Sequence, residues 1–317
     1  MQKITDFLKR EAVLCIAAVA ALVSAFFVPP DAEYIGYIDI HVLILLFCLM
    51  AVVAGAQKCG LFIKLARRLC EGERSLKSIL FILVLLPFFA SMLITNDVAL
   101  ITFVPFAILV LNEVGKREYL IFTIVMQTIA ANLGSMATPV GNPQNLYLYS
   151  RFFTSISEFS KVVLPAAGIS LIVICVALMF VKRERVSVTF NGDAEGKSPK
   201  KLFLWLALFV LCLLSVFHIL NDWVLLLATI ASLIIFDREL FRNVDFALLL
   251  TFVCFFIFAG NIARIDAIRL FLEEQMTRNA GLTTALASQI ISNVPAAVML
   301  SNFTSNGIKC GKRQAIL

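Results

Sequence analysis

Three short polar runs interrupt otherwise apolar stretches of the chain: Thr95-Asn96-Asp97, Thr138-Pro139-Val140-Gly141-Asn142-Pro143-Gln144-Asn145, and Ser292-Asn293. An asparagine side chain offers one acceptor oxygen and two donor hydrogens, so it can hold an anion or a sodium ion without adding charge. Asp97 is an acid between the apolar runs 79–94 and 98–111. A charge at the bilayer centre costs about 3 kcal/mol or more, so such an acid must face a cavity or a partner. Its chemistry there is proton carriage or cation ligation. A carboxylate at the start of run 98–111 would also accept orphan backbone N–H groups as a helix cap, and the two roles coexist. Gly141 and Pro143 break the helix that Tyr119 begins. Thr138, Asn142 and Asn145 are then left to ligate through their side chains, and the freed carbonyls to hold a cation.

The substrate-binding set read from these runs is Thr95, Asn96, Thr138, Asn142, Asn145, Ser292 and Asn293. Asp97, Asn96 and Gly141 form the cation- or proton-coupling set, with sodium the candidate ion at Asn96 and Asp97. The competing structural reading makes each break a kink, and each asparagine an interhelical contact worth about 0.6 kcal/mol. No other metal site is expected, since His41 and His218 stand alone near helix ends. The eight cysteines include no Cys-x-x-Cys and mostly sit in apolar runs, where they read as small packing residues.

These residues need a membrane scaffold. The 317 residues are 61% hydrophobic with mean hydropathy +0.94, more apolar surface than a soluble domain can bury. The net charge of +6 comes from basic residues in short loops between apolar runs, which argues for membrane orientation and against nucleic acid. Run 12–28 follows Lys3, Lys9 and Arg10, lacks a small-residue cleavage site, and reads as an uncleaved first helix. An acidic loop with Asp31, Glu33 and Asp39 leads to helix 40–56, and that helix to Lys58, Lys64, Arg67, Arg68, Arg74 and Lys77. The positive-inside rule then places the N-terminus in the cytoplasm of a bacterial-type plasma (inner) membrane. Stretch 61–69 has the amphipathic spacing of an interfacial helix.

The organisation expected is a first repeat over 1–181, a cytoplasmic linker over 182–201, and a second repeat over 202–317. The first repeat holds an arm helix at 58–72, a hairpin at 79–112 and a broken helix at 119–149. The repeat is carried by Ala54-Gly55 and Ala259-Gly260, each ending a helix before an amphipathic stretch. It is carried also by the tips at Asn96 and Asn293, and by Gly115-Lys116-Arg117 and Gly311-Lys312-Arg313. Helix counting puts the copies in opposite orientation, the pattern of alternating-access carriers. The second copy has no counterpart of the broken helix or of the last span before Leu317, and truncation is the expected reason. Gly55 and Gly260 are read as close-packing residues, and Arg264 and Arg269 as a solvated face.

At these residues the chain resembles the ion transporter superfamily of divalent anion–sodium symporters, citrate carriers, arsenite permeases and some sodium–proton antiporters. Asn96 with its neighbours resembles that superfamily's Ser-Asn-Thr hairpin tip, and Ser292-Asn293 its second tip. Ala137-Thr138-Pro139 through Asn145 resembles its Gly-Thr-Pro-x-Asn unwinding. The resemblance runs from the first helix to the second hairpin. It implies an all-α polytopic membrane fold, an inverted-repeat transporter with re-entrant helical hairpins and broken helices, and frequently a homodimer. It implies further that Asn96 and Asn293 face a central anion with cation sites nearby. Asp97 and Val294 stand where the carboxylate symporters have Thr, which brings the first tip closer to the arsenite and antiporter branches.

The function expected is secondary active transport of a small inorganic or carboxylate anion, citrate- or dicarboxylate-like, coupled to sodium or protons. A sodium–proton antiporter or arsenite permease is the alternative. No organic cofactor is expected, and the lipid bilayer is the surrounding partner. An enzyme is not expected: there is no His-Glu-x-x-His, no Gly-x-Ser-x-Gly and no Walker-type loop. A channel or membrane scaffold would have no need of mirrored half-sites.

Overall fold

The computed structural model describes residues 11–153, 155–188 and 199–303. The basic start at Lys3, Lys9 and Arg10, half of the polar linker (189–198), and the landmark Gly311-Lys312-Arg313 lie outside the described residues. In chain order the helices are α1 (Ala12–Phe27), α2 (Tyr34–Tyr37), α3 (Ile40–Lys58), α4 (Leu61–Cys70), α5 (Leu76–Ala90), α6 (Asn96–Glu113) and α7 (Leu120–Ser135). They continue with α8 (Pro143–Phe152), α9 (Ile156–Met179), α10 (Pro199–Val216), α11 (Asp222–Phe236), α12 (Phe246–Arg264), α13 (Asp266–Ile291) and α14 (Asn293–Ser301). Four of them, α3, α6, α9 and α12, are long and apolar enough to cross a membrane. The architecture is that of an all-α membrane protein.

The chain forms two compact units. The larger holds residues 48–149 and 153–241. Its core is the face of α5 formed by Leu76, Ile79, Leu80, Leu83, Val84 and Phe88, packed on Phe103, Phe106 and Val110 of α6 and on Met126, Ala130 and Ala131 of α7. The 3.6-residue period of these side chains produces the packing. Alanines on α7 let its backbone approach the hairpin closely, as membrane helix interfaces favour.

One feature of this unit was not legible as strand. Gly72–Ser75 (β1) pairs antiparallel with Arg185–Val188 (β2), inside the stretch expected to be a plain linker. The ribbon is extended by Leu76 N donating to Glu184 O (2.7 Å) and by Lys77 Nζ donating to the helix-end carbonyl of Met179 (2.7 Å). Glu184 also accepts from Lys116 at 2.6 Å, which raises that amine above its ordinary value. The loops flanking the hairpin are therefore tied together at one end.

The smaller unit holds residues 1–47, 150–152 and 242–317. On α1 the buried residues Ala17, Ala21 and Ser24 form a narrow small-residue stripe, and α12 packs on it. The buried side chains Phe252, Phe255, Phe256 and Ala259 belong to α12. Helix α13 is two helices joined at Asn279, whose backbone is non-helical (φ −158°, ψ 83°) and whose Oδ1 accepts from Leu282 N at 3.0 Å. That kink separates the amphipathic stretch ending at Arg278 from the apolar run leading to the second tip.

Candidate functional site

The first tip forms because the chain leaves α5 at residue 91 and re-enters helix only at Asn96. Thr95 is extended (φ −61°, ψ 152°), and its carbonyl accepts from Ala99 N at 3.0 Å. The Thr95 hydroxyl makes no capping bond. Asn96 and Asp97 therefore occupy the first turn of α6, where backbone N–H groups have no intrahelical acceptor. Asp97 is exposed there. Asn96 Nδ2 donates to Asn132 Oδ1 on α7 at 3.0 Å, and Asn132 Nδ2 donates to Thr128 O at 2.8 Å.

The break in the next helix lies beside this tip. Helix α7 ends at Ser135, and a short 3-10 turn (Pro139–Gly141) leads to α8. Asn142 caps α8 by accepting from Asn145 N at 2.8 Å, and its Nδ2 donates to Ser135 Oγ at 3.2 Å. Ser135 Oγ in turn donates to Asn132 O at 2.9 Å. Asn145 Nδ2 donates to the carbonyls of Met136 (2.9 Å) and Thr138 (3.1 Å), and Thr138 Oγ1 donates to Met92 O at the tip. The bonds close a ring: tip, Asn132, Ser135, Asn142, Asn145, Thr138 and back to the tip.

Of the predicted residues the ring bonds join Asn96, Thr138, Asn142 and Asn145, with Thr95 and Asp97 flanking Asn96 in the chain and Gly141 inside the break, and the ring also sorts them. Asn142 is buried and uses both ends of its amide to hold the break. Asn145 satisfies two of the carbonyls that the unwinding frees. Gly141 sits where a Cβ would lie 2.1 Å from Ser135 O and 2.8 Å from Ser91 O, so the break closes only with glycine there. Its φ is not in the left-handed region. Thr95, Asn96 and Asp97 hold the more accessible positions.

Asn132, Ser135 and Gln127 were not singled out from the sequence. The signal was present: they are polar side chains in the otherwise apolar run 119–137, Asn132 bonding the tip, Ser135 the break, and Gln127 the two arms of the hairpin. Among the described residues no three His, Cys, Asp or Glu side chains gather to hold a metal ion.

The second tip belongs to the smaller unit. Ser292 adopts φ 73°, ψ 163°, a region that non-glycine residues rarely enter. Its carbonyl accepts from Ala296 N at 3.2 Å, which starts α14 at Asn293. Both Ser292 and Asn293 are exposed.

Beyond the tips, the two halves share a further set of residues. Asp31, Glu33, Asp39, Cys48 and Lys58 recur as Asp237, Glu239, Asp245, Cys254 and Arg264, a constant offset of 206 positions (31 to 237, 58 to 264). The geometry recurs with them. Asp39 Oδ1 accepts from Val42 N at 3.1 Å, and Asp245 Oδ1 accepts from Leu248 N at 2.8 Å. Within the larger unit Lys58 pairs with Asp237 (2.8 Å) and Glu239 (3.0 Å). Within the smaller, Arg264 pairs with Asp31 (2.8 Å) and Glu33 (3.5 Å) and donates to Tyr37 Oη at 3.0 Å. Arg264 is thus an ion-pair residue rather than part of a merely solvated face. Gly55 lies under the Trp205 ring and Gly260 under the Tyr37 ring, as close-packing glycines.

Apolar helices broken at hydrogen-bonded polar sites define a multi-pass membrane protein. The chain belongs to the CitMHS citrate transporter family, whose pattern matches residues 1–306. It is 32% identical to an uncharacterized transporter of Methanocaldococcus jannaschii, over 73% of this chain and 63% of that protein. It is 28% identical to the inner membrane protein YbiR of Escherichia coli, over 88% of this chain and 76% of that protein. It is 30% identical to a silicon efflux transporter of Oryza sativa subsp. japonica, over 51% of this chain and 34% of that protein. The chain spans just under two thirds of the M. jannaschii relative. The family is one of transporters and not of enzymes.

Proposed function

We propose that the chain is a secondary active carrier of a small anion, citrate- or dicarboxylate-like, that works by alternating access and is coupled to sodium or protons. The carrying observation is the closed hydrogen-bond ring that sets the N-termini of α6 and α8 beside the end of α7. Helix N-termini present free N–H groups and positive dipole ends, which attract anionic groups. Broken helices with such ends are how carriers build substrate sites near the bilayer midplane. Thr95 and Asn96 would contact the anion, with Ser292 and Asn293 as the matching half-site. Asp97 with Asn96 would take the sodium ion or proton.

The shorter arms, α5 and α14, support re-entrant hairpins, while α6 at 18 residues is long enough to cross. Helix α5 has 15 residues, about 22 Å at 1.5 Å per residue, short of a hydrocarbon core about 30 Å thick. Helix α14 has 9 residues, about 14 Å. The inverted repeat is supported by the offset of 206 and by chain direction within the smaller unit. There Tyr37, before α3, meets Gly260 near the end of α12, while Phe47 of α3 meets Phe246 at its start (ring centroids 6.3 Å). On this reading the N-terminus is cytoplasmic in a bacterial-type inner membrane, residues 1–181 and 202–317 are the two repeats, and the carrier is a homodimer.

A thermal-stability screen of the purified protein tests the reading. It uses citrate, succinate, sulfate and arsenite, each with sodium or potassium, at two pH values. A ligand at about 100 times its dissociation constant stabilises by about 2.7 kcal/mol. Stabilisation by a carboxylate only with sodium is the expected result, and indifference to every anion would overturn it. The second reading, a sodium–proton antiporter or arsenite permease, is favoured by the exposed Asp97 in the first tip. It is sunk if Asp97→Asn keeps full pH-dependent transport.

A further inference from the structure

Helix α5 contains Pro87, which has no N–H, so the carbonyl of Leu83 one turn earlier has no intrahelical donor. At membrane depth an orphan carbonyl finds no water and needs a protein donor. The donor is Gln127 of α7, whose side chain is fully buried. Its Nε2 lies 2.8 Å from Leu83 O and 3.3 Å from Phe103 O of α6. One amide thus joins both arms of the hairpin to the helix that breaks beside the tip.

The contact continues along α5 towards the tip. At Gly134 a Cβ would lie 2.1 Å from Phe88 O and 2.8 Å from Ser91 Oγ, and at Gly141 2.8 Å from Ser91 O. Thr138 Oγ1 then donates to Met92 O. Positions 127, 134, 138 and 141 follow the α5 stretch 83–92 as one continuous seam. Gln127 Oε1 is buried without a partner among the described residues. A leucine would avoid that unsatisfied acceptor, so simple filling of space does not account for an amide here.

We propose that Gln127 is a positioning residue. Through the carbonyl that Pro87 leaves open, it locks the hairpin to the broken helix, so that the first half-site is carried as one rigid body. This rests on the carrier reading, but its test needs no substrate.

The test is hydrogen–deuterium exchange and thermal melting of the full chain in detergent. The variants are Gln127→Leu, Pro87→Ala and the two together. Gln127→Leu is expected to speed exchange about tenfold in peptides covering 83–97 and 132–145, while α9 and α12 keep their protection. Adding Pro87→Ala returns an N–H to Leu83 O but not the tie between helices, so most of the melting temperature should recover while exchange in 83–97 and 132–145 stays fast. The proposal is overturned if exchange rises equally in all helices, if it does not change, or if the double variant recovers slow exchange, which would leave Gln127 as no more than a donor for an orphan carbonyl. If Gln127→Leu alone does not fold, exchange in the double variant decides, and a double variant that does not fold either overturns the proposal. Failure of the carrier reading would show separately, as a negative ligand screen with these exchange results intact.

Discussion

Arg264 and Asp31 meet at 2.8 Å within the smaller unit, and Lys58 and Asp237, each 206 positions away from one of them, meet at the same distance within the larger. Each basic residue ends an apolar helix of one half and takes an Asp-x-Glu loop preceding the apolar helix of the other. The inverted-repeat reading accounts for this pattern as two copies of one plan, each supplying the partner the other lacks. Unrelated surface charges would have no reason to share an offset.

The Arg264 guanidinium beside Asp31 holds that carboxyl below its ordinary value of 3.8. A lowered folded value means that the pair's contribution is present above 3.8 and is lost as pH falls through the lower folded value. Asp31→Asn is therefore expected to lower the melting temperature at pH 7, and the difference from the parent should shrink below pH 3.8. Arg264→Asp should cost more, and Asp31→Arg in the same chain should recover part of the loss. Melting curves at several pH values check this, and a difference that does not depend on pH sinks it.

The paired glycines make a second prediction. A Cβ at Gly55 would lie 2.3 Å from the Trp205 ring, which is only 1% exposed and has no room to move. A Cβ at Gly260 would lie 2.4 Å from Tyr37, which is partly exposed and can give way. Gly55→Ala is expected to destabilise by about 1–3 kcal/mol, as overpacking does, and Gly260→Ala by less. Trp205→Leu should relieve Gly55→Ala. Denaturant or thermal melts of the four variants decide the order.

Much of this was legible because the bilayer makes polar residues conspicuous. Thr95-Asn96-Asp97 and the break at Gly141 stood out against apolar flanks, and the tip at Ser292 emerged with its backbone distorted where the sequence placed it. The ribbon of Gly72–Ser75 with Arg185–Val188 was not legible, since four-residue strands carry no period and their pairing spans more than a hundred residues. The division of labour in the ring was hidden for another reason. Whether Asn142 binds a ligand or caps α8 depends on where Ser135 and Asn145 fall, and no residue type encodes that.

Ser292 carries a backbone strain that glycine would not. Its φ of 73° with ψ 163° lies where a side chain costs about 1–3 kcal/mol. Glycine returns some of that gain, about 0.5–1 kcal/mol, through the entropy of the unfolded chain. Ser292→Gly is therefore expected to stabilise by about 1 kcal/mol while weakening anion-dependent stabilisation, because the hydroxyl is lost from the second tip. A variant that is both less stable and unchanged in ligand response would remove the reason to regard this strain as functional.

Asn96 and Asn142 differ in accessibility and bonding, and on the carrier reading the first is a ligand and the second its support. Asn142 is buried, caps α8 and bonds Ser135, so Asn142→Ala is expected to cost about 1–2 kcal/mol of stability through the lost cap alone. Asn142→Asp keeps an acceptor for Asn145 N and should retain most of that stability while losing the donation to Ser135. Asn96 makes one accessible bond to Asn132, a contact worth about 0.6 kcal/mol. Asn96→Ala should melt close to the parent, yet lose ligand-induced stabilisation in the anion screen. The reverse outcome, a fragile Asn96→Ala that still responds to ligand, would make the first tip a structural joint and move the anion site away from α6.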